Sequence, residues 1–153
     1  MDGRTLADGD YNYQLRVIDD AGNISATASQ VVTIDTTVPD ASKVITIDSI
    51  SDDTGLSSSD FITNDTSLTV NGSLGATLSD GEYAQISTDG GVTWQNVNVT
   101  GNTWFYVDGR TLDNATYTYY VRVVDAAGNV GSSAQQQVTC LLYTSPSPRD
   151  MRR

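Results

Sequence analysis

Histidine is missing from this 153-residue chain, and cysteine, lysine and glutamate occur once each, at Cys140, Lys43 and Glu82. These absences close most routes to a catalytic base, a zinc site or a Cys/His nucleophile. Positive charge is also scarce: 8 Lys+Arg stand against 19 Asp+Glu, for a net charge of −11. A phosphate backbone needs a basic face, so nucleic acid is not expected as a partner, and neither is an anionic membrane surface. No apolar run approaches the ~20 residues of a spanning helix, so membrane insertion is not expected, and the first residues do not read as a signal peptide. No stretch is rich enough in Glu, Lys and Ala to favour a long helix. What is present is a hydrophobic fraction of 38%, enough for a core, and an acid complement that is aspartate everywhere except Glu82. Aspartate forms turns and offers hard oxygen ligands.

A repeat organises the chain. Asp2-Gly3-Arg4-Thr5-Leu6 returns as Asp108-Gly109-Arg110-Thr111-Leu112, an offset of 106 residues. At that offset Tyr11 and Tyr13 meet Tyr117 and Tyr119, Arg16-Val17 meets Arg122-Val123, and Ala21-Gly22-Asn23 meets Ala127-Gly128-Asn129. A period this long denotes an array of whole domains rather than a solenoid of small units. The sequence therefore divides into residues 1–34, the end of a truncated repeat, and 35–139, a complete one. Asp35-Thr36-Thr37-Val38-Pro39 links them, stiffened by proline. Met1 stands where the complete repeat has Val107, which suggests a valine codon read as a start. The repeat fails at Cys140, and Cys140–Asp150 resembles a translated sequencing adapter. Residues 140–153 are expected to be a non-native tail.

Within the complete repeat, short alternating segments and turn signals follow one another as in an antiparallel sandwich. Strands are expected at Lys43–Ile50, Ser67–Val70, Tyr83–Ser87, Thr93–Val99, Thr103–Val107, Tyr117–Asp125 and Ala134–Thr139. About seven strands in this length match an all-β, immunoglobulin-like antiparallel sandwich. Asp113 to Tyr119 carries tyrosine-corner spacing, in which the Tyr117 hydroxyl bonds back to the preceding turn and Tyr119 takes the place of a disulfide cysteine.

The linker 35–39, the segments 51–55 and 60–65, Ser87–Trp94 and Val124–Asn129 together resemble the bacterial Ig-like tandem repeats of giant secreted, RTX-type or biofilm-associated adhesins. The resemblance implies a structural spacer at the bacterial cell surface or outside the cell, with neighbouring repeats of the same chain as partners and an adhesin target left open. Several members of that group bind calcium within or between beads. The acids fit such a role. Asp52, Asp53, Asp60 and Asp65 share one loop, Asp108 is expected at the same end, and Asp125, Asn129 and Asp35 at the other. Calcium takes six to eight oxygens. The bland alternative is that these residues only make turns.

Two further motifs invite function. Ser87-Thr88-Asp89-Gly90-Gly91-Val92-Thr93-Trp94 matches the Asp-box pattern of sialidase-like propellers. A propeller needs several copies on four-stranded blades; one copy reads as a hairpin device in which Asp89 ties the turn and Trp94 packs beneath it. No enzyme is expected. The aromatics Trp94, Trp104, Phe105, Tyr106, Tyr117, Tyr119 and Tyr120 could serve a sugar-stacking platform, although most are needed in the core. An Ig-like module that itself binds a glycan or a host protein is thus the alternative reading.

Overall fold

The computed structural model describes residues 3–142, and the chain divides into two units, residues 1–37 and 38–153. Among the described residues every regular element is a strand.

The first unit is a hairpin of β1 (Gly9–Leu15) and β2 (Ala28–Ile34). Its seven antiparallel pairs run from Gly9 opposite Ile34 to Leu15 opposite Ala28. Asp19 organises the connection: its carboxylate accepts the Ala21 and Asn23 backbone N–H groups at 3.0 and 2.8 Å and the Asn23 amide at 2.9 Å. Gly22 supplies the left-handed angle that follows, with φ of 87°.

The second unit comprises β3 (Ile45–Ile50), β4 (Ile62–Thr63), β5 (Thr69–Leu74), β6 (Glu82–Ser87), β7 (Gln95–Asn96), β8 (Asn98–Thr100), β9 (Thr103–Val107), β10 (Ala115–Asp125) and β11 (Val130–Cys140). A five-stranded sheet has the order β4-β11-β10-β6-β7 and a four-stranded sheet the order β3-β5-β9-β8. All pairs are antiparallel except β4 with β11. The core lies between the sheets: Ile45, Leu68, Val70 and Trp104 from the four-strand side meet Ile86, Tyr119, Val121, Val123 and Val138. Alternation puts these residues inward because successive side chains point to opposite faces.

Three expectations need correcting. The segment 93–99 is not one strand. It breaks at Val97 and changes sheets: β7 pairs with β6, β8 pairs with β9, and the Val97 N–H reaches the Ala84 carbonyl at 3.0 Å. The crossing lets Val97 and Val99 both pack against the core. The second strand of the repeat begins at Thr69 and runs to Leu74, through an Asn71-Gly72-Ser73 stretch that looks like a turn. Gly72 is there because Trp104 covers it: a Cβ would lie 2.4 Å from the indole. The last strand starts at Val130 and reaches Cys140. Cys140 pairs with Ala115 as Ile34 pairs with Gly9. The remainder of the suspected foreign tail, from residue 143, and the Met1 substitution lie outside the described residues.

The only lysine and the only glutamate of the sequence meet. Lys43 Nζ donates to Glu82 Oε2 at 2.5 Å and to Ser79 Oγ at 2.7 Å, almost wholly shielded. With Ile45 N–H donating to Ser132 Oγ at 3.1 Å, this joins the two sheets at the end where the chain enters. Pro39 is buried at that end, against Gly131.

Candidate functional site

The acid-rich loop between β3 and β4 is held by its own side chains. Asp53 Oδ2 accepts the Phe61 N–H at 3.0 Å, Asp60 Oδ1 accepts Ile62 N–H at 3.1 Å, and Asp65 accepts Ser67 N–H at 2.9 Å and the Ser51 hydroxyl at 3.2 Å. Asp52 contributes its carbonyl, which takes the Thr63 hydroxyl at 2.6 Å, and its backbone is left-handed with φ of 50°. One buried side-chain oxygen has no hydrogen-bond partner among the described residues: Asp53 Oδ1, which is shielded from solvent.

This loop and the tyrosine corner share one end of the second unit. Leu112 N–H donates to Thr66 O at 3.1 Å, Asp108 N–H to Leu68 O at 2.9 Å, and Leu141 N–H to Thr63 O at 2.8 Å. Asp108, however, is spent in a buried network. Its carboxylate takes Nε and Nη2 of Arg110, the latter at 2.6 Å, and the Tyr119 hydroxyl at 2.7 Å. Burial pushes that carboxyl up, but the hydrogen bonds from Arg110 and Tyr119 outweigh it and hold it below the usual range. The same contacts act on Tyr119: burial first, then the Asp108 carboxylate, raise its hydroxyl far above the ordinary value. Arg110 also stacks on Tyr117 at 5.3 Å. Tyr117 closes the corner, its hydroxyl accepting Asp113 N–H at 2.9 Å and donating to Asp113 O at 3.2 Å. In the first unit Tyr11 donates to Ala7 O at 2.8 Å, and Arg4 stacks on Tyr11 at 5.9 Å.

At the other end, Asp125 accepts the Ala127 and Asn129 N–H groups and the Asn129 side-chain amide, each at 2.9 Å. The Asn129 amide leads the interactions that lower its carboxyl. Asp35, in the first unit, accepts Thr37 N–H at 3.0 Å. Asp35, Asp60, Asp65 and Asp125 thus each accept backbone amides of their own turn, while Asp108 is held by Arg110 and Tyr119. Among the described residues, no three acids converge on a point where a metal ion could sit. In this arrangement the donors fall short of the six to eight oxygens calcium requires.

The Asp-box segment is a folded hairpin. Asp89 accepts the Thr93 hydroxyl, Thr93 N–H at 2.9 Å, Val92 N–H at 3.1 Å and the Ser87 hydroxyl at 2.7 Å. The Thr93 hydroxyl first, then the Thr93 N–H and the Ser87 hydroxyl, bring its carboxyl down to about 2. Trp94 Nε1 donates to Gly91 O at 3.1 Å. Its ring swings over the outer face of the five-stranded sheet and meets Arg122, whose guanidinium carbon lies 4.0 Å from the ring centre. Arg122 Nε and Nη2 both donate to Gln85 Oε1, at 3.1 and 2.9 Å. Beside this stack runs a groove of about 470 Å³, lined by Trp94, Tyr120, Arg122, Ser133 and Gln135 among others.

Sequence reasoning singled out Trp94 and Tyr120 and passed over Arg122 and Gln85. A signal existed: the offset aligns Arg16 with Arg122, at outward positions of β10 and of the strand end that matches it. Of the remaining aromatics, Trp104 and Tyr119 are buried and serve the core.

Residues 40–140 match a family model described as bacterial Ig-like domain. Residues 4–36 match a second model of the same description. A search among curated proteins finds no match. The two-sheet sandwich, the tyrosine corner and a family match covering most of the sequence lead to one conclusion: the chain belongs to the bacterial Ig-like domains.

Proposed function

We propose that this chain is a spacer segment of a long bacterial surface or secreted adhesin, in which Ig-like beads follow one another and hold a distant binding domain away from the cell. Bacterial Ig-like domains are typically non-enzymatic structural modules of extracellular and surface proteins, which gives the coarse setting. The observation that carries the finer reading is the duplicated hairpin. All seven pairs of β1 with β2 recur in β10 with β11 at the 106-residue offset, from Gly9–Ile34 and Ala115–Cys140 to Leu15–Ala28 and Val121–Ala134. The Asp19 and Asp125 turns repeat bond for bond.

The division into 1–34 and 35–139 is part of the proposal. In the second unit the inward residues Val121, Val123 and Val138 are 0% exposed. Their counterparts Leu15, Val17 and Val32 are 74%, 71% and 39% exposed. Reading residues 1–34 as the end of a preceding bead accounts for that bare face, because the opposite sheet of such a bead would cover it.

Two copies of residues 35–142 in tandem test the spacer role. By small-angle scattering the pair should reach about twice the maximum dimension of one copy, since such beads contact only their neighbours. A pair no longer than one copy would overturn it. Calcium enters more narrowly. Asp53 Oδ1 is the oxygen that most needs a cation, and further donors would have to come from rearranged loop residues or an adjoining bead. Melting the tandem in chelator and in calcium decides this: an ion at ~100 times its dissociation constant adds about 2.7 kcal/mol. An unchanged midpoint removes calcium and leaves the spacer.

A further inference from the structure

We propose that the outer face of the five-stranded sheet, between Trp94 and Tyr120, is a binding site for an acidic saccharide: a sugar chain carrying carboxylates. The inference is independent of the spacer reading, since a bead can extend a rod and hold a ligand on its flank. It starts from polar groups that are free to meet a ligand. The Tyr120 hydroxyl, the Gln135 amide and the Ser133 hydroxyl have no hydrogen bond to any described residue, and all three line the same concavity.

Arg122 sets the charge of the ligand. Among the described residues it has no carboxylate partner, in a chain whose net charge is −11. It is held by the Trp94 ring beside it and, at its Nε–Nη2 edge, by Gln85, which itself donates to Asn96 Oδ1 at 3.0 Å. A guanidinium has five N–H donors in a rigid fork. The Gln85 carbonyl takes one at Nε and one at Nη2, leaving both Nη1 donors and the second Nη2 donor for a planar, bidentate acceptor. A carboxylate is that acceptor.

The rest of the lining sets the class. A groove of about 470 Å³ falls within the range of ligand sites, about 300–1,000 Å³. The Tyr120 ring and the open edge of Trp94 offer apolar surface for the C–H face of a sugar ring. The Tyr120 and Ser133 hydroxyls and the Gln135 amide line the same groove and can meet ring hydroxyls. A hydrophobic peptide would leave these polar tips unpaired, at a cost in desolvation. The offset places Arg16 and Thr27 where Arg122 and Ser133 stand, so the first unit carries the arginine at the same place in its own hairpin. Weak sites repeated on one polymer gain by avidity.

The full chain titrated with a glucuronate-containing tetrasaccharide tests the proposal. Trp104 is buried, so a saturable change in tryptophan emission reports Trp94. Binding should saturate below ~10 mM, and cellotetraose, equal in length and without carboxylates, should bind roughly tenfold or more weakly. Arg122→Gln should cost the acidic ligand a similar factor. Because Arg122 also holds Gln85, Gln135→Ala provides a second arm: the side chain is exposed and hydrogen-bonded to nothing described, so its loss should weaken binding and leave the melting temperature in place. No saturation, equal affinity for cellotetraose, or indifference to both substitutions would overturn the assignment.

Discussion

Replacing Gly72 by alanine should cost the second unit about 3–5 kcal/mol. Gly72 lies mid-strand in β5, paired with Ile47 on one side and Trp104 on the other. No left-handed backbone angle demands glycine there; space does. A Cβ would stand 2.0 Å from the Thr46 carbonyl oxygen and 2.4 Å from two carbons of the Trp104 indole. That indole is 2% exposed and donates through Nε1 to the same Thr46 oxygen at 3.2 Å. Two relaxations are open. Trp104 can leave its place, which approaches the ~3–5 kcal/mol of removing a buried tryptophan. Alternatively β3 and β5 part, which sacrifices ladder bonds worth about 0.5–1.5 kcal/mol each and exposes the core beneath. Either way the loss is a large share of a typical domain stability of about 5–15 kcal/mol. In a domain of roughly 100 residues, 3 kcal/mol corresponds to about 12–24 °C in melting temperature. Thermal and denaturant unfolding of Gly72→Ala, followed by tryptophan emission, should show that drop with a red-shifted native spectrum. Gly109→Ala is the control: nothing lies within 4 Å of its added Cβ, and its effect should stay within about 0.5 kcal/mol. A Gly72→Ala protein melting within about 4 °C of the parent would refute the reasoning.

Tyr119→Phe removes the hydroxyl that donates to the buried Asp108 carboxylate and should cost about 1.5–3 kcal/mol in denaturant unfolding, the value of a hydrogen bond to a charged group. Because the folded Tyr119 hydroxyl titrates above its ordinary value, the stability it confers is complete below pH ~10 and declines above it. An absorbance titration should therefore leave this tyrosine un-ionised until the domain unfolds. Asp89 behaves in the opposite sense. Its carboxyl is lowered from 3.8 to about 2, so its contribution is present above pH ~4 and is lost as pH falls through about 2. Asp89→Asn should melt earlier at pH 6 and lose less than the parent between pH 4 and 2.

What was legible in the sequence is what short-range chemistry controls. Asp125 with Asn129 and Asp89 with Thr93 and Ser87 are turns whose hydrogen bonds span two to four residues, so spacing alone announces them. The alternation of Tyr119, Val121 and Val123 marks an inward face by the period of a strand, and the 106-residue offset marks the array. Long-range choices were not legible. Asp108 reads in the sequence as an ion ligand; in the fold its carboxylate is buried and held by Arg110 and by Tyr119, which comes from the facing sheet. Of the acids gathered at the bead ends, Asp35, Asp60, Asp65 and Asp125 accept backbone amides two to four residues on, whereas Asp53 reaches the Phe61 N–H eight residues away. The split at Val97, Gly72 beneath Trp104, and Arg122 between Trp94 and Gln85 depend on residues 11 to 58 positions apart. Sequence marked most of the segments that become strands and turns. Only the stacking of two sheets decided which side chains face each other, because those contacts form across the sandwich rather than along the chain.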